Sequence, residues 1–254
     1  MTGFYLGTHR PHWLEQLNRP LFVSRRVLAG RRTLPTRTAP WVLDSGGFTE
    51  LNLHGEWRLT TDTYADEIRR YQRIGGLQWA APMDWMCEPS VLTRTGRTVA
   101  EHQALTVANF LALREQVGSI VAPVVQGWTL DEYHDCVQLY ADAGVDLSAE
   151  PVVGVGSVCR RSAVTDVCRV LRSLWERHGL SLHGFGIKGD ALALCADFLA
   201  SADSMAWSFN ARNTHPLPGC EHRSCQNCIR YATRWHDRQV ARLRAAEQTL
   251  WSTA

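Results

Sequence analysis

Eight short apolar or β-branched runs punctuate the chain, at residues 4–8, 20–24, 41–45, 77–84, 120–126, 152–156, 184–188 and 204–209. None exceeds eight residues, a strand length and not a helix length. Segments of helical period lie between the later runs. Residues 63–74 carry Tyr64, Ile68 and Tyr71 at spacings of four and three. Residues 99–117 follow Thr98, a candidate N-cap, and carry Leu105, Val107, Phe110 and Leu113. The stretches 131–143, 163–178 and 191–200 complete the set. Eight strands, most followed by a helix, predict an α/β chain folded as a (β/α)8 TIM-like barrel. The connections 9–19 and 25–40 are short or irregular, so the first two units carry the weakest helical pattern.

The polar residues keep phase with this alternation. Asp44, Asp84, Gln126, Gly156 and Lys188 close five of the runs, and Asp203 stands just before the last. In a barrel those ends converge on one mouth, where reactive residues gather.

A chain of 254 residues, 45% hydrophobic, suits one large domain with a small appendage. Residues 1–213 read as the barrel and 214–254 as a metal-binding segment with a C-terminal helix. No stretch approaches the roughly 18 apolar residues of a membrane span. Met1-Thr2-Gly3-Phe4-Tyr5 lacks the basic start and apolar run of a secretory leader, so a cytoplasmic protein without a membrane segment is expected. Three of the eight cysteines crowd into 220–228 and the rest are scattered, a pattern for a reduced compartment and not a disulfide framework. The net charge of +2 does not announce a nucleic-acid partner. Lys188 is the sole lysine; every other basic residue is arginine, whose planar fork suits phosphate.

Four motifs can carry chemistry. In Asp44-Ser45-Gly46-Gly47-Phe48 a carboxylate ends an apolar strand and two glycines follow, so the backbone can approach a ligand closely. In Pro82-Met83-Asp84-Trp85-Met86 a second carboxylate lies between residues able to sandwich a flat base. In Val125-Gln126-Gly127 an amide can donate to a carbonyl and accept from a ring N–H. In Val153-Gly154-Val155-Gly156 spaced glycines end a strand without the third glycine of a dinucleotide fingerprint. Asp203 adds a third carboxylate, and glycosidic chemistry uses such groups in pairs, one attacking C1′ and one moving protons.

Cys220-Glu221-His222-Arg223-Ser224-Cys225-Gln226-Asn227-Cys228 is the strongest local signal, with four thiol or imidazole ligands in nine residues. The spacing suits a closed tetrahedral, structural Zn²⁺ site. His222 is the first choice for the fourth ligand beside Cys220, Cys225 and Cys228, and His236 is the alternative.

Taken in order, these motifs resemble the tRNA-guanine transglycosylase superfamily, from about Trp41 to the cysteine cluster. The opening, Phe4-Tyr5-Leu6-Gly7-Thr8-His9 with Pro20-Leu21-Phe22-Val23-Ser24, looks more like the branch that inserts 7-deazaguanines into DNA, the DpdA type. The resemblance implies Asp203 as the nucleophile and Asp44 as general base or substrate holder. It places Ser45, Gly46, Gly47, Asp84, Gln126, Gly127, Val155 and Gly156 around the base, with Lys188 near a phosphate or sugar. The match is uneven: Thr49 stands where the family usually has Gln, and His222 where a middle Cys would fall.

The implied reaction swaps guanine in DNA for a 7-deazaguanine, such as 7-cyano-7-deazaguanine, through a covalent aspartyl-glycosyl intermediate. Such an enzyme is a pentosyltransferase needing structural zinc but no redox cofactor. Its partners would be DNA and the free deazaguanine base, and the short chain leaves room for a helper protein. Arg25, Arg26, Arg31, Arg32, Arg37, Arg223, Arg230, Arg234 and Arg238 are candidates for a phosphate-binding rim. The rival readings are a tRNA-guanine transglycosylase, a nucleic-acid glycosidic hydrolase and a non-catalytic zinc module that binds nucleic acid.

Overall fold

The computed structural model describes residues 2–159, 161 and 163–251. Met1 of the leader reading and the last three residues of the 214–254 segment lie outside them. The strands are β1 (Gly3–Thr8), β2 (Leu21–Ser24), β3 (Trp41–Asp44), β4 (Leu77–Ala80), β5 (Val124–Val125), β6 (Val153–Val155), β7 (Leu182–Gly184) and β8 (Ser201–Ser204). All pair in parallel, in the order β4-β3-β2-β1-β8-β7-β6-β5. The β1–β8 pairing makes this order cyclic. At the seam, one parallel bridge joins Ala80 to Val121, and Ala122 N–H donates to Ala80 O at 3.0 Å. The chain is therefore the α/β barrel its alternation predicts.

The helices are α1 (Trp13–Gln16), α2 (Arg25–Leu28), α3 (Gly47–His54), α4 (Thr61–Gln72), α5 (Pro89–Thr95), α6 (Val99–Val117), α7 (Leu130–Asp142), α8 (Val164–His178), α9 (Gly189–Leu194), α10 (Ala206–Arg212) and α11 (Ile229–Trp251). The connections after β1 and β2 hold only the four-residue turns α1 and α2, which is why their helical pattern is weak. Helix α6 keeps the expected limits because Thr98 and Glu101 close a reciprocal capping box at its start.

Two strand positions differ from expectation. β7 ends at Gly184, and Lys188 is the exposed N-cap of α9, not a strand end. β8 is Ser201–Ser204, whereas the apolar residues of 204–209 belong largely to α10, whose buried face is Trp207, Ser208 and Ala211. β8 lies between β1 and β7 and is built of small residues, so it carries little hydrophobic signal. The shift moves Asp203 from the entry of a strand to the C-terminal half of one. The scattered cysteines also hide one pair: Cys168 on α8 and Cys195 after α9 form a disulfide, with Cα atoms 5.4 Å apart.

Strand alternation sorts side chains into two cores. Leu43, Val125, Val155, Leu182 and Ala202 point outward against helix residues such as Tyr64, Phe110, Tyr133 and Leu171. Phe22, Val42, Trp79, Ala81, Ala122 and Val152, with Tyr5 and Phe185, fill the interior. Asp44 shares the inward face of Val42, two residues further along β3, and so rises to the mouth above this apolar plug. α11 packs outside β1, where Trp235 meets Phe4 at 5.8 Å and Gly189 N–H donates to Gln239 Oε1 at 2.8 Å. Among the described residues no helix is long and apolar enough to cross a membrane.

Candidate active site

Above the apolar plug lies a cavity of about 310 Å³, the size of a small-ligand site. Its polar lining includes Ser24, Asp44, Asp84, Ser157 and Asp203, with Phe48, Met86, Phe185 and Met205 as apolar flanks. Three aspartates from β3, the loop after β4, and β8, together with Glu88 further along that loop, thus meet in one space.

Asp44 ends β3 and accepts hydrogen bonds from the Gly46 N–H and from Ser24. Gly46 sits at φ 77°, a left-handed conformation that favours glycine. Burial raises the Asp44 carboxyl above its ordinary range, and the charge of Asp203 adds to the effect.

Asp84 lies four residues beyond β4 on a loop pinned by α6. Asn109 Nδ2 donates to Met83 O at 2.7 Å, Trp85 N–H donates to Thr106 Oγ1 at 2.8 Å, and His102 Nδ1 meets Met86 O at 2.6 Å. The carboxyl accepts from Ser45 Oγ at 3.2 Å and from Gln126 Nε2 at 2.6 Å. Burial first, and the neighbouring Asp44 second, push its pKa up to about 7.

Gln126 follows β5 and is fully buried. Ser157 Oγ lies 2.8 Å from its Oε1 and 3.1 Å from Glu88 Oε2, and takes the Cys87 N–H at 2.8 Å. Ser157 is the one non-glycine with positive φ (55°) among the described residues, at the edge of the cavity where such conformations concentrate. Gly156 has no alternative: a Cβ there would stand 2.1 Å from Gln126 Nε2. The strand ends thus hold a fixed sequence of polar groups: Ser45, Asp84, Gln126, Ser157 and Glu88.

Asp203 Oδ1 accepts the Gly186 N–H at 2.9 Å. His183 Nε2 lies 3.4 Å from the same oxygen. His183 is wholly buried, its Nδ1 2.8 Å from Ser201 Oγ, its ring 4.9 Å from those of Trp79 and Phe185.

The structure therefore brings Asp44, Ser45, Asp84, Gln126, Gly156 and Asp203 together. Gly47 begins α3 against Met86 and Trp57 at the same mouth. Val155 turns its side chain to the outer core, so only its backbone can face a ligand. Gly127 packs against α7, where a Cβ would meet Tyr133 N at 2.8 Å. Lys188 is not among the lining residues, but its Nζ lies 3.4 Å from the carbonyl of Gly186, which is. His183 and Glu88 belong to no motif in the sequence, although Glu88 has one cue, an acid two residues beyond Met86; Ser157 closes the glycine-spaced run Val153-Gly154-Val155-Gly156-Ser157 with no role of its own.

The arginine rim also needs revision. Arg37 is buried and donates to the backbone carbonyls of Leu14, Leu17, Arg19, Ala39 and Pro40, and burial lowers its pKa to about 10. It ties the segment before β3 in place. Arg25 pairs with Glu67 and Arg26 with Glu50. Arg31, Arg32, Arg223, Arg230, Arg234 and Arg238 are exposed.

Beyond α10, ligand atoms of Cys220, His222, Cys225 and Cys228 lie within 4.8 Å of one another and can hold a metal ion. Cys220 Sγ and Cys228 Sγ are 3.9 Å apart, close to the ~3.8 Å edge that Zn–S bonds of about 2.3 Å give a tetrahedron. His236 is not a member: its Nε2 meets Phe4 O at 3.0 Å and its Nδ1 meets Arg19 at 3.2 Å. The cluster braces α10, because Ser208 Oγ donates to Gln226 O at 2.9 Å and Ser224 Oγ to Ala211 O at 3.0 Å.

The chain is thus a parallel barrel with carboxylates at its mouth and a cysteine-histidine cluster after the eighth strand. The family model described as DpdA, DeoxyPurine in DNA protein A, matches residues 1–254. The chain belongs to that family, the DNA 7-deazaguanine transglycosylase branch. No curated protein matches the chain.

Proposed function

We propose that this protein exchanges guanine in DNA for a 7-deazaguanine, such as 7-cyano-7-deazaguanine, with Asp203 as nucleophile. The observation that carries the reading is the meeting of Asp44, Asp84 and Asp203 in one cavity beside the Gln126 amide. The target nucleotide leaves the stack, at a cost of a few kcal/mol, so that C1′ reaches Asp203. An Asp203 oxygen attacks C1′, the bond from C1′ to N9 breaks, and guanine leaves with the electron pair and takes up a proton from Asp44, which Asp44 regains from the incoming base. Asp84 accepts the N–H groups of the base. Gln126 keeps a second amide hydrogen for the purine carbonyl. The incoming deazaguanine gives its N9 proton to Asp44 and attacks C1′, which releases Asp203. One glycosidic bond replaces another, as in retaining glycosidases.

Cys220, His222, Cys225 and Cys228 would hold a structural zinc, which supplies folding free energy and no step of the exchange. DNA, the free base and a helper protein for DNA handling are the proposed partners.

The test is nucleoside mass spectrometry of DNA and tRNA from cells that express the protein and supply 7-cyano-7-deazaguanine. A modified deoxynucleoside that vanishes with Asp203→Ala is expected. Modification of tRNA alone would move the substrate to tRNA. Base release without incorporation would make the protein a hydrolase.

A further inference from the structure

Two large apolar side chains stand in the open beside the cavity. Met205 is 46% exposed and Phe209 is 67% exposed, the highest value among the exposed large hydrophobic residues. Met205 is the N-cap of α10 and lines the cavity two residues after Asp203. Phe209 lies four residues on, and Arg212 three beyond it, so the outward face of this short helix reads Met205, Phe209, Arg212. The opposite face, Trp207, Ser208 and Ala211, is buried. The exposed ring is not a fraying accident. Asn213 Nδ2 donates to Phe209 O at 3.0 Å, and Arg212 Nε donates to Gln226 Oε1 at 2.7 Å. The metal-binding segment thus holds α10 rigid from behind.

The segment that carries Phe209 is rich in exposed polar and basic residues. Asn210, Arg212, Asn213, Thr214, His215 and Arg223 are all exposed, and no carboxylate lies between 204 and 220. An apolar ring on a rigid platform amid such donors, continuous with the mouth of the cavity, matches a stacked nucleic-acid segment better than a protein face. The exchange read above demands that one base leave the stack, and the gap it leaves needs filling. Apolar side chains fill such gaps in DNA and unstack the neighbouring step.

We infer that Phe209, supported by Met205, is a wedge that enters the DNA stack where the target guanine has flipped out. This inference rests on the DNA-exchange reading. The nucleotide would enter past Met205 toward Asp203, with Phe209 stacked on the neighbouring base and Arg212 near the phosphate. Stacking of a base on the aromatic ring is the contact that would hold the flipped state.

The experiment measures 7-cyano-7-deazaguanine incorporation by purified protein into three oligonucleotides. These are a matched duplex, the same duplex with an abasic site opposite the target guanine, and the single strand. Phe209→Ala should lower incorporation into the matched duplex at least tenfold. Loss on the single strand and the abasic duplex should stay within about twofold, because there the base needs little help to leave the stack. Phe209→Trp should retain the duplex activity. Phe209 is exposed, so the fold should survive, and equal metal content in wild type and variant checks this. Equal loss on all three substrates, no loss on the matched duplex, or a wild type confined to the single strand would each overturn the wedge. A wild type inactive on every substrate, even with extract of the source cells added so that any helper protein is present, would instead overturn the exchange reading on which it rests.

Discussion

Gln126 Nε2 donates to Asp84 Oδ2 across 2.6 Å, and both groups are buried at the mouth of the barrel. The bond fixes the amide with one N–H on the carboxylate; under the proposed function the other serves the base carbonyl. It also favours the ionised carboxylate, yet burial and Asp44 outweigh it and leave the Asp84 pKa at about 7. Ionised Asp84 is the form that can accept two N–H groups of guanine. The kcat/KM for exchange should therefore rise with pH through the region near 7 and level off above it. A pH profile of incorporation in the wild type and in Asp84→Asn reads this directly. A wild-type profile flat from about pH 6 to 8 would remove Asp84 from base recognition.

The same shift predicts a stability penalty. A carboxyl raised from 3.8 to about 7 in the folded chain still holds its proton where the unfolded chain has released it. Folding stability therefore falls as pH rises through that window, and the loss is complete above about 7. Asp84→Asn removes the buried charge. The variant should melt above wild type, by a margin that is larger at pH 8 than at pH 5. In a chain of this size each kcal/mol regained moves Tm by roughly 2–4 °C. Thermal denaturation at both pH values checks it, and a margin that shrinks toward alkaline pH would contradict the shift.

Most of the barrel is legible in the sequence because a strand buried on both faces must be apolar and a helix beside it must be amphipathic. Asp44 stands out for a related reason: an inward carboxylate that ends Trp41-Val42-Leu43 breaks an otherwise buried pattern. β8 escapes notice because Ser201-Ala202-Asp203-Ser204 uses small residues, while the next apolar cluster faces the core from α10. His183 escapes for another reason. Its surroundings, Phe22, Trp79 and Phe185, come from separate stretches of chain, and only the closed barrel assembles them. Arg37 misleads in the opposite direction, since an arginine in an irregular polar connection resembles a surface residue until five carbonyls converge on it.

The metal cluster should act through α10. Purified protein should carry about one zinc per chain, a closed four-ligand site holding a single ion. Cys228→Ser should lower both metal content and Tm. It should also weaken incorporation, because the segment that braces Ser208 and Ala211 sits directly behind the helix that follows Asp203. His236→Ala should leave the metal content unchanged, since His236 is engaged with Phe4 and Arg19. Metal analysis beside thermal denaturation separates these outcomes, and wild type with well under one zinc would sink the assignment.

His183 should position Asp203. The Gly186 N–H at 2.9 Å and the His183 Nε2 at 3.4 Å both approach Asp203 Oδ1, so the two together set where that oxygen stands. Within the protein, that Nε2 is a buried atom with no hydrogen-bond partner of its own. The ring itself cannot turn freely, since Ser201 Oγ holds Nδ1 at 2.8 Å and aromatic rings pack on several sides. A small movement of Asp203 would bring the two groups into full hydrogen-bond contact. His183→Phe keeps the packing and deletes the polar contact. It should lower kcat for exchange by about tenfold or more, or ~1.4 kcal/mol of activation free energy, with KM for the free base nearly unchanged. A role in packing alone would instead lower Tm and spare kcat in this near-isosteric variant. Steady-state kinetics on the single strand, with melting curves alongside, distinguishes the two, and an unchanged kcat would show that Asp203 needs no help from this ring.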